Sequence, residues 1–145
     1  MICVDASVAA KWVLSEEHSA LSQALFSASM RANDPIIAPL LLPFEVANII
    51  RKQMTRHALP FVDADRLLAR FLAYPVTLRS TPDLHRQALI LADAHQLPAV
   101  YDAHYLALAQ HFGCDLWTDD QRLLRAVGGV LPFVRWIGDY APGTP

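Results

Sequence analysis

Short apolar runs and longer amphipathic stretches alternate along the whole chain, and that alternation predicts its elements. Residues 2–5 read as a strand, and a helix is expected over 7–14. The stretch 16–31 carries Leu21, Leu25 and Phe26 on one helical face. A second strand is expected at 35–38. Pro43 suits the first position of a helix running toward His57, and Pro60 opens another, with Leu67, Leu68, Phe71 and Leu72 as its apolar positions. A third strand follows at 75–78. Thr81-Pro82-Asp83 starts a helix to about Gln96, Asp102 starts one ending near Gly113, and 114–118 is a fourth strand. A short helix over 120–127 stops at Gly128-Gly129, and 133–137 is the fifth strand. Strands alternating with helices predict a single α/β domain, a parallel sheet with helices on both faces. The domain is expected to fill residues 1–140, with 141–145 as a flexible tail.

A chain of 145 residues is one domain's worth, large enough for a real core. It is 54% hydrophobic, yet its longest apolar region, 36–50, is broken by Pro39, Pro43 and Glu45. No stretch approaches the ~20 apolar residues of a membrane span. The start has no basic region, and Asp5 interrupts any signal core. A soluble, cytoplasmic protein without membrane contact is therefore expected. The apolar surplus points to an oligomer or partner surface, beyond what a compact core absorbs. Net charge is −2, so no broad basic field draws in nucleic acid. A polyanion would have to be held by local arginines, ten against two lysines, and by metal ions.

Candidate chemistry rests on four acids at the edges of apolar runs: Asp5, Glu45, Asp102 and Asp120. An acid just past a short strand lies at its C-terminal end, where open α/β sheets place their sites. Each acid also has a bland role. Asp5 and Asp102 stand where helix caps stand, and the double acid Asp119-Asp120 suits a helix N-terminus. Glu45 also stands in a first helical turn, but among Leu41, Leu42, Phe44, Val46 and Ile49, where burial without a partner is costly. Asn48, three residues on, shares its helical face. If the four cluster, the bland roles weaken together: two carboxylates ~5 Å apart repel by roughly 3 kcal/mol at an effective dielectric of ~20. Such a cluster needs protons or a cation, and oxygen-only donors suit Mg²⁺ or Mn²⁺.

Other chemistries find little support. The six histidines are scattered, with no H-E-x-x-H and no evident partner for a metal-free nuclease pair, and read as surface or packing residues. Cys3 and Cys114 lack ligand spacing and read as buried free thiols. No P-loop, G-x-S-x-G or G-x-G-x-x-G occurs. Arg51, Lys52, Arg56 and His57 end the helix begun near Glu45; cations there suit its dipole, with RNA-backbone contact as the sharper alternative.

The stretches Val4-Asp5-Ala6-Ser7, Pro43-Phe44-Glu45-Val46-Ala47-Asn48, Tyr101 to Ala109 and Thr118-Asp119-Asp120 together resemble a PIN-domain ribonuclease, most closely the VapC-type toxins of bacterial toxin–antitoxin pairs. The likeness covers nearly the whole chain, and its order and spacing are more specific than any one motif. It implies a five-stranded parallel sheet with the acids at one end, cleavage of RNA with Mg²⁺ or Mn²⁺, and a homodimer held inactive by a small antitoxin. Carried over by position, Asp5 and Asp102 are the principal metal ligands, Glu45 completes the pocket, and Asp120 is the final acid. Ser7, Asn48 and Thr118 are hydrogen-bonding residues behind them. Asp119 departs from the pattern as an extra acid; of the pair, Asp120 is expected to face the metal. One or two ions are compatible with this set.

With no histidine base expected in the site, a metal-bound water would be the nucleophile, leaving a 5′-phosphate and a 3′-hydroxyl. Three alternatives share the fold class. A receiver-like Mg²⁺-binding signalling domain would want paired acids after strand one and a Lys after strand five; neither is present. A phosphatase of the HAD type would want a second Asp where Ser7 stands. A non-catalytic RNA-binding or scaffold domain on the same fold has no need of all four acids.

Overall fold

The computed structural model describes residues 1–143. Five strands, β1 (Ile2–Val4), β2 (Ile36–Pro39), β3 (Val76–Arg79), β4 (Asp115–Thr118) and β5 (Val134–Trp136), form one sheet in the order β3-β2-β1-β4-β5. All four pairings are parallel, with Ile2 opposite both Ile36 and Asp115 in the central registers. Parallel strands need long crossovers, and helices supply them: α1 (Ala6–Ala9), α2 (Ser19–Arg31), α3 (Leu42–Arg56), α4 (Phe61–Leu72), α5 (Leu84–Ala94), α6 (Tyr101–Phe112) and α7 (Gln121–Val127). Every residue of β2 is buried. Since successive side chains point to opposite faces, the sheet is covered on both sides, as expected of an all-parallel sheet. The edge strand β3 is largely exposed.

The strand order reverses at β1: the chain adds β2 and β3 on one side, then returns to place β4 and β5 on the other. The C-terminal ends of β1 and β4 therefore flank the switch point, the crevice where such sheets hold ligands. α6 packs across the middle of the sheet, against β1, β2 and β4. That position explains its uninterrupted burial from Ala103 to Ala109.

Two elements begin or end differently from the periodicity, for local reasons. The helix expected over 7–14 closes at Ala9 and tightens into a 3₁₀ turn over Ala10–Trp12. The helix expected from residue 16 starts at Ser19, because His18 takes the left-handed region (φ 63°), which no right-handed helix can continue through. Ser19 Oγ locks that turn, accepting from the Glu16 N–H at 2.9 Å and donating to the Leu14 carbonyl at 2.8 Å. Cys3 and Cys114 are free and buried, Cys114 just ahead of β4 rather than inside it. Of the tail expected at 141–145, Thr144 and Pro145 lie outside the described residues. No helix among the described residues is long and apolar enough to cross a membrane.

Candidate functional site

Asp5 ends β1, still in the ladder through its N–H to the Trp117 carbonyl (3.3 Å), and is 5% exposed. Its carboxylate does two jobs at once. Oδ1 caps α1 by accepting from the Val8 N–H at 3.1 Å. Both oxygens also take hydroxyl protons: Ser7 Oγ donates to Oδ1 at 2.6 Å, and Thr118 Oγ1 donates to Oδ2 at 2.5 Å. Each hydroxyl accepts a main-chain N–H in turn, Ser7 from Asp119 (2.7 Å) and Thr118 from Asp120 (3.0 Å). The corner between β4 and α7 thus fixes both hydroxyl protons toward Asp5. Cap and pocket wall are compatible roles.

The other acids arrive from separate helices. Glu45 stands in the first turn of α3, and Tyr105 of α6 donates to its Oε1 at 2.8 Å. Asp102 lies in the first turn of α6, one turn before Tyr105, and is half-buried without a hydrogen-bond donor among the described residues. Asp120 caps α7, accepting from the N–H groups of Arg122 (2.8 Å) and Leu123 (3.4 Å). Asp5, Ser7, Glu45, Asp102, Tyr105 and Asp120 line one cavity of about 160 Å³ at the C-terminal end of the sheet. Thr118 stands behind Asp5. Asn48 is exposed and makes no side-chain hydrogen bond among the described residues; the partner of Glu45 is Tyr105.

Asp119 turns elsewhere. Its carboxylate takes Trp136 Nε1–H at 2.9 Å, Lys11 Nζ at 3.0 Å and His18 Nδ1 at 3.1 Å. Lys11, 7% exposed at its side chain, also reaches Glu16 at 3.2 Å. Burial pulls the Asp119 pKa upward, but the donors from Trp136, Lys11 and His18 outweigh it and hold the carboxyl below its ordinary value. Of the neighbouring pair, the compensated acid is Asp119 and the acid in the cavity is Asp120.

Asp5, Glu45 and Asp102 behave in the opposite way. Burial pushes Asp5 up to about 6 against the pull of its Ser7, Thr118 and Val8 donors, with the charge of Asp102 adding to the rise. Glu45 is pushed up to about 7, by burial first, opposed by the Tyr105 hydrogen bond and reinforced by Asp102 and Asp5. Asp102 is raised by burial and by Asp120, with Arg122 pulling the other way. Arg122 is itself 86% exposed and stands 3.8 Å from Asp120, so its charge is largely spent in water. Among the described residues no three His, Cys, Asp or Glu side chains already converge tightly enough to chelate one ion. The donor set is nevertheless all oxygen and short of positive charge, which fits a hard divalent cation.

The PIN domain family model matches residues 2–129. The chain belongs to the PIN-domain family. Members are typically nucleases, and this PIN domain also matches a solved structure, the crystal structure of PAE2754 from Pyrobaculum aerophilum. That likeness has a TM-score of 0.69 over 94% of this chain and 90% of the other, at 22% identity, and speaks for the fold. No curated protein matches the chain significantly. The strand order of this PIN domain, with β1 between β2 and β4, differs from the 2-1-3-4-5 order of receiver domains and sets that alternative aside.

Sequence reasoning missed four residues here. Tyr105 was findable, since it shares a helical face with Asp102 three positions earlier. Lys11, His18 and Trp136 had no signal, because what joins them to Asp119 is tertiary. His85 and His104, expected as surface or packing residues, stand 2.9 Å apart across α5 and α6, His104 buried and His85 exposed.

Proposed function

We propose that this PIN domain is a Mg²⁺- or Mn²⁺-dependent ribonuclease and the toxin of a toxin–antitoxin pair. The observation that carries the nuclease reading is Asp102: a half-buried carboxylate with no hydrogen-bond donor among the described residues, in a cavity where burial and the charge of Asp120 raise its pKa. Asp5, Asp102, Glu45 and Asp120 would hold the ion. Bound there, it supplies the charge that lets the four ionise together and acidifies a water for attack on the phosphodiester.

The protein's own groups do the rest. Ser7 and Thr118 hold both Asp5 oxygens in one orientation. Tyr105, whose own pKa burial drives upward, stays a donor and keeps Glu45 Oε1 occupied, which leaves Oε2 as the atom that gains or loses a proton near neutrality. Asp120 is set by the first turn of α7, and Asp119 is tied into the corner behind it.

Cleavage of RNA with Mn²⁺ and silence in EDTA test this reading, with 5′-phosphate ends on the products. Cyclic 2′,3′-phosphate ends would sink it, because they require attack by the RNA's own 2′-hydroxyl. No cleavage at all would leave a non-catalytic RNA-binding or scaffold role. The toxin assignment rests on the VapC resemblance. The cytoplasm is its proposed location. Exposed Phe61, Val62, Leu72, Leu89 and Ile90 are apolar area available for a homodimer or a small antitoxin.

A further inference from the structure

Beside the carboxylate cavity, a wider groove of about 340 Å³ opens at the C-terminal ends of β2 and β3. Phe44 and Tyr101 stand at it, 77% and 62% exposed. Each directly precedes a cavity acid, Phe44 before Glu45 on α3 and Tyr101 before Asp102 on α6. The two helices that bring those acids to the cavity therefore also supply the aromatic walls of its neighbour.

The groove has a defined polar handle. His104 Nδ1 lies 2.8 Å from the Val100 carbonyl, which can only accept, so that nitrogen carries the proton. Nε2 of neutral His104 is then an acceptor, and His85 Nδ1, 2.9 Å away, donates to it. With Nδ1 turned to His104, His85, on an exposed ring lining the groove, has its Nε2 left for a ligand.

We propose that this groove is a nucleobase subsite, holding one unpaired base of the RNA strand that is cut at the carboxylate cavity. The base stacks on Phe44 and also contacts Tyr101, and His85 Nε2 accepts from its ring N–H or amino group. The inference rests on the ribonuclease reading. A strand laid along the C-terminal edge of the sheet crosses β4 and β1, where the acids are, and then β2 and β3, where the groove is. Charge cannot supply the affinity here, since the chain is net negative and the cavity is acidic. Stacking can: single-stranded RNA is recognised through bases splayed onto aromatic rings, at ~1–3 kcal/mol per base.

The test is binding of a short single-stranded RNA in EDTA, in the Asp102→Asn background to relieve repulsion by the cavity. Phe44→Ala and Tyr101→Ala are each expected to weaken binding by roughly 5- to 100-fold while melting as the parent does, both rings being exposed. Phe44→Trp should keep the affinity and lose indole emission as the base stacks. An RNA with an abasic site at the bound position should bind the parent as weakly as intact RNA binds the alanine variants. Parent-like binding by both alanine variants, or no quenching at saturating RNA, overturns the subsite. So does a change confined to sedimentation, which would make the groove a contact with a second copy. A protein that binds and quenches but never cleaves with Mn²⁺ overturns the ribonuclease reading and leaves the subsite standing.

Discussion

Tyr105 donates to Glu45 Oε1 from the same helix that carries Asp102 one turn earlier, so a single element sets two of the four cavity acids. The hydrogen bond opposes burial and the neighbouring charges, holding Glu45 to about 7. Tyr105→Phe removes it without changing the packing volume, and the Glu45 pKa climbs. A hydrogen bond to a charged group contributes ~1.5 kcal/mol, which raises the pKa by about one, so the ionised fraction at pH 7, and with it cleavage at sub-saturating Mn²⁺, should fall roughly sixfold. Activity should return as pH is raised, because the ascending limb of the pH–rate profile moves to higher pH. An unmoved limb would show that Glu45 does not titrate in the reaction.

Asp119 and Asp120 separate under the same substitution. Asp120→Asn keeps a good N-cap for α7, so stability should hold while Mn²⁺ affinity and cleavage drop. Asp119→Asn takes one of two carboxylates from beside buried Lys11, leaving Glu16 as its partner, so the cost stays below the ~3–5 kcal/mol of orphaning a buried charge. Its melting temperature should fall while residual activity, measured well below melting, persists. Urea denaturation of both variants beside Mn²⁺ titration decides the matter; the reverse pattern would exchange their roles.

The metal-free protein should become more stable as pH falls from about 8 toward 5. Asp5 at about 6 and Glu45 at about 7 both lie above their ordinary values, 3.8 and 4.5. Across that window the folded state binds more protons than the unfolded chain, so stability decreases as pH rises. The sign is the reverse of that for a salt-bridged carboxylate. Asp119, with its lowered pKa, works the other way at the acid end, losing its contribution as pH drops through its folded value. Melting curves in EDTA should therefore peak in the mildly acidic range. Mn²⁺ should shift the peak upward in pH, since it binds the native carboxylates.

The strands were legible as short apolar runs, and so were the acids, Asp5 and Asp120 standing just past strand ends and Glu45 and Asp102 in the first turns of α3 and α6. Asp5 also read correctly as a cap, since capping is decided within three residues, whereas the cap expected of Asp102 is not there: Val100 stands at that position. What stayed hidden is tertiary. Lys11 looks like an ordinary helical lysine until β4 and β5 bring Asp119 and Trp136 to it. His18 looks like a helix residue until its left-handed backbone turns its ring onto Trp136, 5.4 Å away and edge-on. His85 and His104 are on different helices, and only the α5–α6 packing makes them a pair. Asn48 shows the converse error of local reasoning: it shares a helical face with Glu45, yet the tertiary neighbour Tyr105 makes the contact.

Expression of the protein alone should slow bacterial growth, and co-expression of the reading frame just upstream of its gene should restore it. The VapC resemblance motivates this, together with the exposed apolar side chains of α4 and α5. Growth arrest that no adjacent gene relieves would remove the toxin–antitoxin assignment and leave the nuclease untouched.

Asp102→Asn is the most discriminating substitution. Asp102 caps nothing; the residue before α6 is Val100, and the Asp102 carboxylate takes no main-chain N–H. Its only bland contribution is a favourable charge near a helix N-terminus, ~0.3–1 kcal/mol. Against that stand its burial and the repulsion of Asp120. If the acid serves only the dipole, the metal-free variant melts slightly lower and activity is unaffected. If it serves an ion, the metal-free variant melts no lower than wild type, the Mn²⁺-induced rise in melting temperature shrinks, and cleavage falls to background. Asp5→Asn should match it in activity, though with Ser7 and Thr118 both giving protons to the carboxylate, the amide must turn one hydroxyl around, and some stability is lost. A folded Asp102→Asn protein that cleaves RNA at the wild-type rate would take Asp102 out of the site and undo the metal mechanism.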